Sequence, residues 1–508
     1  MIDPELLSLV QPFDDHNRSL LENVHPPNWI NPEPAERYHL VVVGGGTAGL
    51  VSAAGAAGLG ARVALIERRL LGGDCLNYGC VPSKGMIRAA RAWHDARQTA
   101  QRFAGPTATG EGDFATVMER MRRLRAGISR HDSAERFRGL GIDVFMGNGR
   151  FVASDAIEVE GRRLNFRRAI IATGARPAAP RIPGCDAGSY LTNETVFNLT
   201  ELPARLGVIG GGPIGCELSQ TFARLGSQVI VFEIAPHLLI REDADAAEIV
   251  QRSLISDGVE LVLESVVHRI KQTPAGKVVE FEQAGEQHQT VVDELLCVCG
   301  REPNVEDLGL EAAGIAFDRA GVEVDDRLRS TNRRVFAVGD VASRFKFTHT
   351  ADALARIAIQ NSLLFRRLKA SDLVIPWCTY TSPEVAHVGL YAADAHPKGV
   401  EIETLTIPMK EVDRAILDDA TEGFLRLHIQ KGKDRILGAT LVAEHAGDLL
   451  GELCVAVTAK VGLNQIAGTI FPYPTRAEIL KKSADTWRRG KLTPTVQAVF
   501  KAFFKIFR

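Results

Sequence analysis

The sequence predicts an α/β fold, and three observations predict it. Two stretches, 38–68 and 205–233, each run apolar strand, glycine turn, helix and second apolar strand. A third apolar strand, TNRRVFAVGDVA (331–342), ends in Gly339-Asp340. At 508 residues the chain is also too long for a single core and should divide into three or four domains. We read it as two Rossmann-like dinucleotide-binding domains followed by a C-terminal α/β domain.

The first stretch, YHLVVVGGGTAGLVSAAGAAGLGARVALIER, places Gly44, Gly46 and Gly49 in the pattern G-x-G-x-x-G. Such glycines allow a tight turn, close approach of backbone to a pyrophosphate, and packing of helix on strand. Anionic phosphates suit the free N–H groups and dipole of the helix start. Glu67, 18 residues after the last glycine, is placed to accept hydrogen bonds from a ribose diol. The second stretch, RLGVIGGGPIGCELSQTFARLGSQVIVFE, repeats the pattern with Gly210, Gly212, Gly215 and Glu233. Two units imply two dinucleotides, one able to feed electrons to the other. A carboxylate at Glu233 would repel a 2′-phosphate, which favours NADH, although nearby His237 and Arg241 could soften that repulsion.

Composition narrows the function classes. With 45% hydrophobic and 24% charged residues and a net charge of −2, the chain has no overall attraction for nucleic acid. MIDPELLSLV lacks the basic start of an export signal, and no apolar run approaches the roughly 18 residues of a spanning helix. Eight cysteines are too few for a disulfide-stapled secreted scaffold, so a cytoplasmic location is expected.

Cys75 and Cys80, in GGDCLNYGCVPSK (72–84), then need a reason. Zinc would want a second close pair. Cys297 and Cys299 in ELLCVCGREPN read instead as small residues of a buried strand, and no metal site is expected. A structural bridge conflicts with the compartment. The remaining reading is a redox disulfide, with Pro82 and Ser83 opening a helix whose dipole lowers a thiol pKa and Lys84 adding positive charge one turn on. Cys185, Cys216, Cys378 and Cys454 stand alone in sequence and read as structural.

GGDCLNYGCVPSK, both glycine units, ATGARP (172–177) with Gly174, VGD (338–340) and YPTRAE (473–478) occur in one order. That order resembles the flavin-dependent pyridine nucleotide–disulfide oxidoreductases, which include lipoamide dehydrogenase, glutathione reductase and mercuric reductase. The resemblance covers about 39–487. It implies FAD on the first unit, with Asp340 reaching its ribityl–phosphate portion, and NAD(P)H on the second. It also implies that Cys80 lies against the flavin as the charge-transfer thiol, that Cys75 is the interchange thiol, and that Lys84 pairs with Glu217. Because the family's substrate site is completed by a second subunit, a homodimer is expected.

The acceptor is read from YPTRAE. Dithiol-using members have a histidine at its first position, supplied by the partner subunit, with a glutamate that orients it; here Tyr473 takes that place and Glu478 is retained. Thiol–disulfide exchange favours a group titrating near neutrality, which histidine at about 6.5 provides and tyrosine at about 10 does not. A soft metal ion binds thiolates directly and needs no imidazole. Mercuric reductase has a tyrosine at this position and another before the nicotinamide unit, which Tyr190 resembles; packing aromatics are the plain alternative for both. The chain ends KLTPTVQAVFKAFFKIFR, without the vicinal cysteines of that enzyme, and its first 38 residues also lack cysteine.

The expected activity is therefore a mercuric reductase-like NAD(P)H oxidoreductase with a metal-ion or small-molecule acceptor. The alternatives are dihydrolipoyl dehydrogenase-like turnover and, in another class, a membrane-surface redox sensor or scaffold. The expected organisation is an N-terminal extension (1–38) without a fold of its own, an FAD domain (39–186 and 301–374) interrupted by the NAD(P) domain (187–300), a dimerisation domain (375–487) and a basic amphipathic tail (488–508). The tail puts Val496, Phe500, Phe503, Phe504 and Phe507 on one face, with Lys501, Lys505 and Arg508 flanking it. Packing against the dimer is favoured over contact with a membrane surface. The arginine-rich run 118–139 reads as a solvated helix face.

Overall fold

The computed structural model describes residues 4–110, 112–186, 188–364 and 366–507, so Arg508 of the tail lies outside the described residues. Contacts divide the chain into two compact units, Met1–Ile234 with Val259–Leu373, and Ala235–Gly258 with Val374–Arg508.

The first unit is organised by a parallel sheet in the order Ile142–Met146, Val63–Glu67, Tyr38–Val43, Arg162–Ile171, with Val335–Ala337 also paired to the last of these. Its central strand, YHLVVV, is buried at every position but His39, because both faces are covered. Leu40 and Val42 join a core with the helix Thr47–Gly58, while Val41 and Val43 join a second core with Phe151 and Phe166. The same unit holds a second parallel sheet, ordered Glu260–Val262, Gln228–Phe232, Arg205–Ile209, Glu294–Cys297, with the helix Pro213–Leu225 following its glycine turn.

The N-terminal extension is helical and packs into the first unit, where the sequence reading expected no structure. Pro4–Ser8 and Asp15–Val24 are helices, and Leu6, Leu9, Val10, Leu20, Leu21 and Val24 are buried in the core of the first sheet. The solvated face expected of the arginine run holds for Arg123, Arg130, Arg136 and Arg138, which are exposed, but not for two others. In the helix Phe114–Ser129, Arg122 and Arg125 are buried, with Arg122 paired to Asp14 at 2.6 Å. Arg125 donates to the Asn77 carbonyl and to Asn17 Oδ1, both at 2.7 Å. Side chains of the extension receive what the sequence reading assigned to water.

The second unit is a five-stranded antiparallel sheet, ordered Pro376–Thr379, Glu384–Gly389, Ile436–Ala443, Phe424–Gln430, Ile402–Pro408. Its core is shared with the helices Ala446–Thr458, Leu463–Gly468 and Glu478–Gly490. The tail forms a further helix, Pro494–Ile506, capped by the Thr493 hydroxyl, and Phe500, Phe503, Phe504 and Phe507 are exposed. At 3.6 residues per turn, Lys501 falls about 60° from Phe504, at the edge of the aromatic face, and Lys505 lies farther round on the same side. No described helix is long and apolar enough to cross a membrane.

Candidate active site

The site begins at the first glycine turn. Gly44 adopts φ +103°, and a Cβ at Gly49 would stand 1.7 Å from the Gly44 carbonyl oxygen, so only glycine lets this helix close on its strand. Glu67 holds the turn with one carboxylate, accepting from Gly45 N–H at 2.5 Å and Arg69 N–H at 2.6 Å. Each oxygen keeps a lone pair for a diol. The second turn is built alike. A Cβ at Gly215 would meet the Gly210 carbonyl oxygen at 1.9 Å, Gly212 precedes the helix, and Glu233 accepts from Gly211 N–H at 2.5 Å. These cradles, each with backbone N–H groups facing a helix start and an acid behind them, fit dinucleotides.

The cysteine segment is stitched to the first cradle. Gly72 N–H donates to the Gly45 carbonyl at 2.8 Å, and a Cβ at Gly73 would meet Gly46 Cα at 2.6 Å. This explains the paired glycine before Cys75. The short helix Gly73–Asn77 then carries Cys75, and Cys80 is the first residue of the helix Cys80–Phe103. Both cysteines are free thiols. A hydrogen bond with Cys75 lowers the Cys80 pKa against the opposing effect of burial, with help from Thr348 and Lys84. The Cys75 thiol moves upward, from the same hydrogen bond and from burial. Lys84 Nζ lies 2.8 Å from Glu217 Oε2, on the helix that follows the second glycine turn.

Several groups at this site had no place in the sequence reading. Thr348 Oγ1, at the first residue of the helix Thr348–Leu363, lies 3.4 Å from Cys80 Sγ. Arg301 stands 3.2 Å from Asp74 and 3.7 Å from Asp340, and Asn193 donates to Asp74 at 2.9 Å. Burial raises the Asp340 pKa, against Arg301 and Lys346. Gly339 and Gly174 both sit in left-handed backbone, at φ +76° and +70°. The signal for Arg301 and Thr348 was a polar residue at the start of a strand or of a helix, which is common in any sequence.

Tyr190 packs on the second dinucleotide unit's core, and burial with the nearby Cys185, Cys297 and Cys299 raises its pKa. Cys185 is not isolated: its Sγ lies 3.9 Å from that of Cys297, so the reading of a cysteine standing alone holds in sequence but not in space. In the second unit, Tyr473 is exposed and donates to Asp413 at 3.0 Å, a bond that raises its pKa. Glu478 starts the helix Glu478–Gly490, with Oε1 3.8 Å from Lys482 Nζ. No group of three or more described His, Cys, Asp or Glu residues is arranged to hold a metal ion.

The family model for pyridine nucleotide-disulphide oxidoreductases matches residues 38–355, and that family's dimerisation domain matches 375–484. A mercuric reductase of Bacillus cereus is 34% identical over 460 residues, 90% of this chain and 73% of that protein. A dihydrolipoyl dehydrogenase of Staphylococcus aureus is 32% identical over 455 residues, 88% of this chain and 95% of that protein. Among solved structures, the HOCl-induced flavoprotein disulfide reductase RclA from Escherichia coli is similar, and it is also known as a Cu(II) complex. RclA superposes with TM-score 0.78 at 29% identity, over 88% of this chain and 99% of its own. With FAD and NAD(P)H as the family's cofactors and a matched dimerisation domain that supports a homodimer, the chain belongs to the pyridine nucleotide-disulfide oxidoreductases and is a mercuric reductase-like flavoenzyme.

Proposed function

We propose that the enzyme oxidises NADH and passes the electrons through Cys75 and Cys80 to a thiolate-binding metal ion. The observation that carries this reading is Tyr473, an exposed phenol bonded to Asp413 where dithiol-using relatives have an acid–base histidine. Its raised pKa keeps the proton on the oxygen at neutral pH, which suits it poorly to relay protons between sulfurs. The Cu(II) complex of RclA supports a metal acceptor by analogy. NADH is favoured because the Glu233 carboxylate stands at the end of the second dinucleotide unit, where it would repel a 2′-phosphate.

Bound FAD supplies two-electron transfer between the pyridine nucleotide and the cysteine pair. The chain's own residues prepare the sulfurs. Cys80, at a helix start beside Lys84 and Thr348, holds the thiolate. Glu217 fixes Lys84 in position. Cys75, the thiol with the raised pKa, keeps its proton until a soft metal displaces it and binds as thiolate. We place Tyr190 outside this chemistry, as a packing residue of the nucleotide unit. A cytoplasmic location, where thiols stay reduced, suits a pair that must be reduced to work.

The test is oxidation of NADH and of NADPH by the pure holoenzyme against Hg(II), Cu(II), lipoamide, glutathione disulfide, quinones and oxygen. Fastest turnover with a metal ion and NADH is expected. Preference for lipoamide would establish the dihydrolipoyl dehydrogenase-like reading instead.

A further inference from the structure

A second pair of sulfurs lies well apart in sequence from the first. Cys185, in the segment entering the nicotinamide nucleotide unit, and Cys297, the last residue of the strand Glu294–Cys297, bring their Sγ atoms to 3.9 Å. Both are free thiols, and they share a buried core with Phe232, Ile209 and Val262. No third ligand joins them in a metal-binding arrangement among the described residues. Two thiols in contact can be oxidised together to a disulfide.

The surroundings give that reaction a direction and a consequence. Cys185 is 9% exposed and Cys297 2%, so a small oxidant meets Cys185 first. A hydrogen bond with Cys297 lowers the Cys185 pKa and raises that of Cys297, which makes Cys185 the nucleophile. Beyond Cys297 the chain touches the glycine turn that receives the pyridine nucleotide. Val298 N–H donates to the Ile209 carbonyl at 3.0 Å, and a Cβ at Gly210 would meet the Val298 carbonyl oxygen at 2.8 Å. The segment after Cys185 is tied to the same strand by Leu191 N–H to Leu295 O at 2.7 Å and Cys297 N–H to Leu191 O at 2.8 Å. A bond between these sulfurs therefore acts directly on the segment that edges the nucleotide cradle.

We propose that Cys185 and Cys297 form a second, peroxide-responsive disulfide, separate from Cys75–Cys80, whose closure weakens pyridine nucleotide binding. The Cys185 thiolate attacks one peroxide oxygen, breaking the O–O bond and leaving a sulfenic acid and one hydroxide that takes up a proton. The Cys297 sulfur then attacks Cys185 Sγ, losing its proton as the S–O bond breaks and a second water leaves. Two thiols lose two electrons and two protons, and one hydrogen peroxide becomes two waters.

The experiment treats the pre-reduced, full-length holoenzyme with hydrogen peroxide and maps its disulfides by mass spectrometry without reduction. A peptide linked through Cys185 and Cys297 is expected, lost on treatment with dithiothreitol. The KM for NADH should rise about fivefold or more with the linkage. In Cys185→Ser, peroxide should leave that KM unchanged, while Cys75–Cys80 still closes. Absence of the linked peptide from the wild-type protein overturns the proposal, whatever the variant does. A linked peptide with an unaltered KM overturns its coupling to nucleotide binding. Neither result depends on which metal or disulfide the enzyme reduces.

Discussion

Lys84 Nζ and Glu217 Oε2 stand 2.8 Å apart, joining the helix that begins at Cys80 to the helix that follows the second glycine turn. Glu217 is nearly buried and Lys84 about one-third exposed, so the pair links the two dinucleotide units through a largely desolvated contact. Lys84→Met takes a cation away from a buried carboxylate and should cost on the order of 2 kcal/mol, read by chemical denaturation. It should also move the pH midpoint for alkylation of Cys80 upward, because Lys84 is one of the groups that stabilise the thiolate. A midpoint that falls or stays put would remove Lys84 from the account of Cys80.

Reduced holoenzyme should show a long-wavelength absorption band that depends on the Cys80 thiolate. Cys80→Ala should abolish it, and Cys75→Ala should leave it in place. Persistence of the band in Cys80→Ala would show that the two sulfurs have been assigned in the wrong order.

Gly49→Ala would place a methyl group 1.7 Å from the Gly44 carbonyl oxygen. Neither partner is a flexible side chain, so helix and strand must separate. The purified variant should contain little or no flavin by absorbance. Gly215→Ala faces the same clash, at 1.9 Å from Gly210 O, in the other unit. It should retain flavin but bind NADH weakly, by titration calorimetry.

Stability of the second unit should fall in mild acid through His387. Its ring is buried, stacked on Tyr391 at 3.6 Å, with Nδ1 2.9 Å from the Thr440 hydroxyl, and burial lowers its pKa to about 4. The unfolded chain takes up a proton below about 6.5, whereas the folded one resists until about 4. This contribution is thus fully present above pH 6.5 and is lost as pH falls toward 4, at up to about 1.4 kcal/mol per pH unit. His387→Gln should flatten that slope in denaturant titrations across the same window.

The tail should act within the dimer. Its aromatic face continues from the matched dimerisation domain, so removal of 488–508 should weaken self-association in sedimentation velocity. Unchanged self-association, with loss of sedimentation on anionic liposomes, would assign the helix to a membrane surface.

The two glycine cradles were legible in the sequence because their chemistry is local: strand, turn, helix and acid follow within about thirty residues. Lys84 and Glu217 could be named because each adjoins such a motif. Arg125, Thr348 and the partnership of Cys185 with Cys297 were not legible. Each depends on residues more than a hundred positions away, or on a helix start whose neighbour only the fold supplies. Composition also misled at Arg122 and Arg125, where charge suggested water; a buried guanidinium is tolerable only when its partners are in place, and those are Asp14 and Asn17 of the extension and the Asn77 carbonyl.

That arrangement makes the first two dozen residues a brace for the reactive loop. Arg125 grips the Asn77 carbonyl, two residues beyond Cys75, with one arm and Asn17 with the other. Cutting the chain ahead of residue 25 would slacken one arm, and the loss should be felt first as altered reactivity of a sulfur far downstream.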